Sequence, residues 1–225
     1  MSDPHEGSAV LPVAGERLWL MPQRVAFWER MRTLLVADAH FGKAAAFRSL
    51  GVAVPGGTTL AALQRLDGAL QATAARRVVF LGDFLHAREG RAPATLDAVR
   101  EWRARHADIE MVLVRGNHDR GAGDPPDDAG IRCVDAPLLE RPFVLAHHPR
   151  DAREGYVIAG HLHPGAVLRG AARQRERVPC FWARRGGLVL TAFGEFTGLA
   201  EIEPEAGDRV FVVAGDQVLE PSAVS

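Results

Sequence analysis

Short, wholly apolar runs rich in Val, Leu and Ile punctuate the chain at residues 34–37, 78–81, 111–114, 143–146 and 156–159. A half-exposed strand would alternate apolar and polar positions, so continuous runs of this length predict strands buried on both faces. Between them the spacing changes. Leu60, Leu63, Leu66 and Leu70 recur every three or four positions before the second run, and Leu96, Val99 and Trp102 before the third, which predicts helices with one apolar stripe. Strand–helix–strand alternation predicts an α/β core with parallel pairing in its first half. Beyond Pro164 the pattern shifts to short β-like runs at 187–191, 199–202 and 209–213, joined by Gly-rich turns without an amphipathic helix, so the second half is expected to be antiparallel. Near the start, residues 18–20 and 24–28 flank Met21-Pro22-Gln23 and predict an opening hairpin. Together these elements predict two sheets packed face to face, with helices outside.

Composition narrows the class. A chain of 225 residues, 47% hydrophobic and 24% charged, is that of an ordinary globular protein, and one domain spanning 1–225 is expected. No segment is apolar over the roughly 18 residues a membrane helix needs, so no membrane partner is expected. The opening residues, with Asp3, His5 and Glu6, lack a basic patch followed by an apolar run, which argues against a secretory signal. Cys133 and Cys180 are too few for a disulfide framework and are read as packing residues, which suits the reducing cytoplasm. With 27 basic against 28 acidic residues, the whole-protein charge does not by itself advertise a nucleic-acid partner. The Gly-, Asp- and Pro-rich stretch 121–130 is short enough to be a loop.

The chemistry lies just past the five apolar runs. They lead, in order, into Asp38-Ala39-His40, Gly82-Asp83, Gly116-Asn117-His118-Asp119, His147-His148 and Gly160-His161-Leu162-His163. Strands that carry polar groups at their carboxyl ends converge them on one edge of a sheet, where open α/β folds bind ligands. Carboxylates, imidazoles and an amide oxygen form a mixed O and N donor set without thiolate, suited to Mn, Fe or Zn in a catalytic site. Residues two apart in an extended strand share a side, so Asp38 and His40 can reach one metal, and His161 and His163 can likewise project together if extended geometry persists. Seven candidate metal ligands, Asp38, His40, Asp83, Asn117, His147, His161 and His163, exceed the needs of one ion and suffice for two sharing a carboxylate. Paired divalent ions are a standard device for clamping the attacking and leaving oxygens of a phosphoryl transfer.

This order of motifs resembles the calcineurin-like binuclear metallophosphoesterase superfamily, whose signature runs Asp-x-His, Gly-Asp, Gly-Asn-His-Asp/Glu, His, Gly-His-x-His; the match spans Asp38 to His163. The resemblance implies a four-layer α/β/β/α sandwich of two packed mixed sheets flanked by helices. It implies that Asp38, His40 and His163 bind one metal, that Asn117, His147 and His161 bind the other, and that Asp83 bridges them. His118 would sit over the substrate phosphate, with Asp119 orienting and polarising it. The flanks resemble more closely the bacterial ligase-associated DNA damage response endonucleases of the PdeM type. That likeness rests on residues 37–43, Phe47-Arg48, residues 51–55, residues 160–164, Val178-Pro179-Cys180-Phe181 and residues 192–198. It implies a manganese-dependent phosphodiesterase acting on DNA in repair, beside an ATP-dependent DNA ligase and a long helicase-related protein. One departure, Thr191-Ala192-Phe193 where Leu-Pro-Ala-Phe is expected, touches no ligand.

Other residues carry two readings each. Either His147 or His148 could be the ligand; His147 directly follows the apolar run and is preferred, leaving His148 beside the metals or facing substrate. His86 and Arg88 could reach substrate, although a histidine satisfied by backbone fits His86 equally well. Lys43, the only lysine, and Arg48 could touch phosphate or line a helix surface. From Arg169 to Arg185, arginines including Arg173, Arg175 and Arg177 interleave with Phe181 and Trp182. That mix suits phosphate contact with base stacking, or a solvated hairpin whose aromatics pack inward. His5 and His106 are read as solvated. The expected reaction is hydrolysis by a water activated at the paired ions, with His118 stabilising the transition state and protonating the leaving alkoxide. A small-molecule or cyclic-nucleotide phosphoesterase, and a metal-free scaffold that keeps the fold, are the alternatives.

Overall fold

The computed structural model describes residues 6–169 and 175–221, so Asp3, His5 and Arg173 lie outside the described residues. The first sheet follows chain order: β1 (Ala9–Val13), β2 (Glu16–Met21), β3 (Val25–Trp28), β4 (Thr33–Val36), β5 (Arg77–Leu81), β6 (Glu110–Val114) and β7 (Arg132–Val134). Neighbours from β1 to β4 are antiparallel, and those from β4 to β7 are parallel. The expected hairpin is β2–β3, with Arg24 in a left-handed turn conformation at φ 64°. The strand before it, β1, was not expected; it carries Pro12, which an edge strand tolerates because no neighbour needs its missing N–H.

Helices α1 (Lys43–Ser49), α2 (Thr58–Thr73), α3 (Pro93–Arg105) and α4 (Asn117–Ala122) all follow parallel strands of this sheet. The stripe of α2 is Ala62, Leu63, Leu66, Ala69 and Leu70; Leu60, expected to belong to it, is 49% exposed. His106, just past α3, is not solvated as expected. Its Nε2 lies 2.7 Å from Asp67 Oδ1, an oxygen that also accepts the Trp102 indole N–H.

The second sheet contains β8 (Leu138–Glu140), β9 (Phe143–Leu145), β10 (Tyr156–Ala159), β11 (Pro164–Arg169), β12 (Arg175–Arg184), β13 (Gly187–Val189), β14 (Ala200–Glu201), β15 (Arg209–Ala214) and β16 (Gln217–Leu219). Its order is β14-β11-β12-β13-β10-β9-β8, with β15 paired to β12 and β16 to β15. This half is mixed rather than antiparallel: β9–β10, β10–β13 and β11–β14 are parallel. Parallel neighbours need a long crossover, and between β10 and β13 the β11–β12 hairpin serves instead of a helix, so helical periodicity could not reveal it.

Alternation along the central strands divides the core. Leu34, Val36, Val78, Phe80, Met111 and Leu113 face the α2 and α3 stripes. The intervening Leu35, Val79, Leu81, Val112 and Val114 meet Leu145, Ile158, Phe181, Leu188 and Phe211 of the second sheet. Each such side chain contributes roughly 1.5–3 kcal/mol by leaving water. Two packed mixed sheets with flanking helices are therefore present. Among the described residues the helices flank only the first sheet, because the connections behind the second are short and broken by Pro149, Gly155, Pro204 and Gly207. Cys133 and Cys180 are packing residues, as expected. No described helix is long and apolar enough to cross a membrane.

Candidate metal centre

The candidate ligands follow β4, β5, β6, β9 and β10 at one edge of the packed sheets, all on loops except Asn117, which opens α4. The extended geometry expected to pair Asp38 with His40 and His161 with His163 does not persist. Asp38 (φ 55°), His40 (46°), Asp83 (53°), His161 (69°) and His163 (47°) are all left-handed. Non-glycine residues rarely adopt this region, and such strain clusters where surrounding structure enforces it for function. Here it is enforced by backbone bonds between loops: His40 N–H to the Asp83 carbonyl at 2.8 Å, Phe41 N–H to that of Phe84 at 2.8 Å, and Gly160 N–H to that of His147 at 3.0 Å. Two glycines let the loops close. A Cβ on Gly82, itself at φ 80°, would lie 2.3 Å from His147 Nδ1, and one on Gly116 would lie 2.4 Å from Asp83 Oδ1.

Two donor clusters result. In the first, Asp38, His40 and His163 each present one ligand atom to a common point. Asp38 Oδ1, His40 Nε2 and His163 Nε2 are buried with no hydrogen-bond partner, and the Asp38 and His163 atoms lie 3.7 Å apart. An unmatched buried polar atom costs roughly 1–3 kcal/mol, a cost that a cation at their centre would remove. Burial, aided by Lys43 and the neighbouring histidines, pushes the His40 imidazole down to about 2, so the ring is neutral and its lone pair is free.

His147 organises the second cluster. Its Nδ1 lies 2.9 Å from the Leu81 carbonyl, an acceptor, so in the neutral ring Nδ1 carries the proton and Nε2 keeps its lone pair for a cation. Around Nε2 stand Asn117 Oδ1 at 2.9 Å, His161 Nδ1 at 3.1 Å and Asp83 Oδ1 at 3.4 Å. An amide oxygen, a carboxylate oxygen and two imidazole nitrogens gathered this closely make a donor set that suits a cation. Asp83 faces both clusters, with Oδ2 lying 3.8 Å from His40 Nε2. Asp38 is held by His161 N–H, which donates to its Oδ2 at 2.8 Å. The donors present thus fit two divalent ions sharing Asp83. Of the histidine pair, His147 is fully buried at the centre of the cluster, while His148 is exposed with its ring 4.0 Å from that of His161.

His118 stands at the mouth, its side chain 39% exposed and its Nε2 3.9 Å from Asp83 Oδ2. The expectation that Asp119 orients this imidazole is corrected. Asp119 is buried and its carboxylate accepts three backbone N–H groups: Asp83 at 2.8 Å, Gly116 at 2.8 Å and Phe84 at 2.9 Å. His118 Nδ1 instead donates to the His86 carbonyl at 2.6 Å, and the two rings stack. His86 therefore joins the site, with its Nδ1 3.5 Å from His40 Nδ1. That orienting carbonyl, like the one of Leu81, left no trace in the sequence because a backbone oxygen has no residue identity.

The remaining expected contacts divide. Lys43 is half-buried; burial lowers its ammonium pKa, while the Asp38 and Asp83 carboxylates oppose that shift. Arg48 points to the Pro55 carbonyl at 3.4 Å, beside a groove lined by Leu60, Thr95 and Glu101 rather than by the ligands. Arg88 donates to the Gly121 carbonyl. Arg175 and Arg177 pair with Glu201 at 3.3 and 2.8 Å. Phe181 is fully buried, and the Trp182 indole N–H donates to Asp208 at 2.8 Å, so this stretch is a hairpin with inward-packed aromatics rather than a stacking surface.

The family model described as calcineurin-like phosphoesterase matches residues 31–148. Among solved structures, the Pseudomonas putida nuclease MPE is 44% identical, with 95% of this chain and 100% of that one covered at a TM-score of 0.85. Yfce, a phosphoesterase from E. coli, is 16% identical, with 86% and 97% covered at a TM-score of 0.41. No curated protein sequence matches the chain. A matching model over more than half the chain, a relative of this identity over nearly all of it, and His/Asp clusters that suit this binuclear, metal-dependent family lead to one conclusion: the chain belongs to the calcineurin-like phosphoesterases.

Proposed function

We propose that this protein is a manganese-dependent phosphodiesterase that cleaves DNA internally, on single or damaged strands. The observation that carries the reading is its 44% identity, over 95% of the chain, with a nuclease. Asp38, His40 and His163 would hold one ion, Asn117, His147 and His161 the second, and Asp83 both. Once bound, such a pair supplies neutralisation of phosphate charge and a nucleophile at neutral pH. The chain's own groups do the rest. Lys43, close enough to the Asp38 and Asp83 carboxylates to feel them, attracts a phosphodiester oxygen. With Nδ1–H of His118 fixed on the His86 carbonyl, any proton it gives must leave from Nε2, where it can meet a phosphoryl oxygen or the departing alkoxide. A repair setting with an ATP-dependent DNA ligase and a long helicase-related protein is part of this proposal, supported by sequence resemblance alone. The test is manganese-loaded protein on circular single-stranded DNA and on bis(p-nitrophenyl) phosphate. Linearised circles are expected; hydrolysis of the small diester with intact circles would refute the DNA reading and favour a small-molecule phosphoesterase.

A further inference from the structure

The motif 192–198 belongs to neither donor cluster, yet it is tied to both loops of the first one. Phe193 N–H donates to the Ala37 carbonyl at 2.8 Å and Gly194 N–H to that of Asp38 at 2.9 Å. At the far end Ala200 N–H donates to the His163 carbonyl at 3.0 Å. Residues 195–199 therefore form a short span pinned at each end to the backbone of a candidate metal ligand. Inside it, Thr197 Oγ1 donates to the Gly194 carbonyl at 3.0 Å, and the Arg65 guanidinium donates to both the Glu195 carboxylate and the Phe193 carbonyl. The span is thus tied at both ends and from within, and its one acid is paired with Arg65.

Phe196 sits at the turn of this span, 50% exposed, and is the only exposed Phe, Trp or Tyr among the described residues. Its φ of 54° is left-handed. Glycine or asparagine would adopt that backbone at less cost, and a polar residue would tolerate water better. Half of this ring's surface stays in water, whereas the two other phenylalanines nearby in sequence, Phe181 and Phe193, are fully buried. A solvent-facing aromatic beside a phosphate-handling centre is the arrangement by which nucleic-acid proteins hold an unstacked base, since every base has a π-face.

We propose that Phe196 stacks on a nucleobase flanking the scissile phosphate, making it a positioning residue that selects strands whose bases are already unstacked. This rests on the DNA reading above. The test uses full-length, manganese-loaded protein with an oligothymidylate and a matching strand of abasic residues, and reads the ratio of kcat/KM between them. Phe196→Ala is expected to lower that ratio at least about fivefold, mainly through KM, the low end of what one base–aromatic stack contributes. Phe196→Trp should keep it. An unchanged ratio, including the case where both strands slow equally, would overturn the stacking role while leaving the nuclease reading intact. If the unaltered protein cuts neither strand but hydrolyses bis(p-nitrophenyl) phosphate, the DNA reading falls and the stacking role with it.

Discussion

Replacing Asp119 by Asn separates two accounts of this residue. Its carboxylate accepts N–H groups from Asp83 and Gly116 on Oδ2 and from Phe84 on Oδ1, all in a buried position. The amide keeps one oxygen, so at best two of the three bonds survive, now without charge, and its NH2 faces a backbone donor. One orphaned buried donor costs roughly 1–3 kcal/mol, and two bonds falling to neutral strength bring the loss to about 2–4 kcal/mol. Burial pushes the Asp119 carboxyl pKa up, which already offsets part of the charged bonds' gain, so the lower half of that range is expected. In a protein of this size each kcal/mol shifts Tm by about 2–4 °C. The assay is a thermal melt of metal-free protein at pH 7, with manganese stoichiometry and kcat of the metal-loaded protein. Stability and metal retention should fall together, because the two surviving bonds, to Asp83 and to Gly116, the residue before Asn117, lose their charge, and the orphaned amide is that of Phe84, next to Asp83. The kcat of the metal-loaded protein should stay close to that of the unaltered protein, since the His86 carbonyl, not Asp119, orients the His118 ring. An unchanged Tm and metal content with a collapsed kcat would refute the reasoning and restore a direct Asp119–His118 pair.

Three further outcomes follow from the geometry. Chelation should abolish hydrolysis, and manganese added back at a hundredfold excess over its Kd should raise stability by about 2.7 kcal/mol per site, read as a concentration-dependent Tm; a Tm indifferent to manganese contradicts the two clusters. In metal-free protein, His40 takes a proton only at about 2 when folded against 6.5 ordinarily. The unfolded chain therefore binds more protons below 6.5, and stability should decline as pH falls from there, by up to about 1.4 kcal/mol per pH unit from this residue. His86, half-buried and pushed down to about 4, adds a smaller, solvent-screened part; urea midpoints at pH 7, 6 and 5 that do not differ would contradict this, and His40→Gln should flatten the slope. Gly82→Ala forces a Cβ within 2.3 Å of the His147 ring at a left-handed φ. Strain and overpacking together should cost about 2–4 kcal/mol, with loss of bound metal measurable by elemental analysis; full metal content would show that the loop adjusts freely.

The central strands and the chemistry were legible along the chain because each leaves a local trace, whereas the edge strands β1, β7, β8 and β16 were not. Burial on both faces writes uninterrupted apolar runs, and O and N donors placed just beyond them mark a site at the strand ends. Contacts across the fold left no such trace. Asp119 and His118 are adjacent in sequence yet serve different loops, and Arg177 is spoken for by Glu201. Phe181, Phe193 and Phe196 are the same residue type, and only the third faces water. Likewise His147 and His148 differ by one position, but the fold buries one and leaves the other at the rim. The chain by itself settled which residue types recur and with what period, hence which segments become strands and which chemistry gathers at their ends. Tertiary structure alone decided who partners whom, because a hydrogen bond or a buried ring depends on distances set by the packing of segments far apart in the chain, to which local spacing is blind.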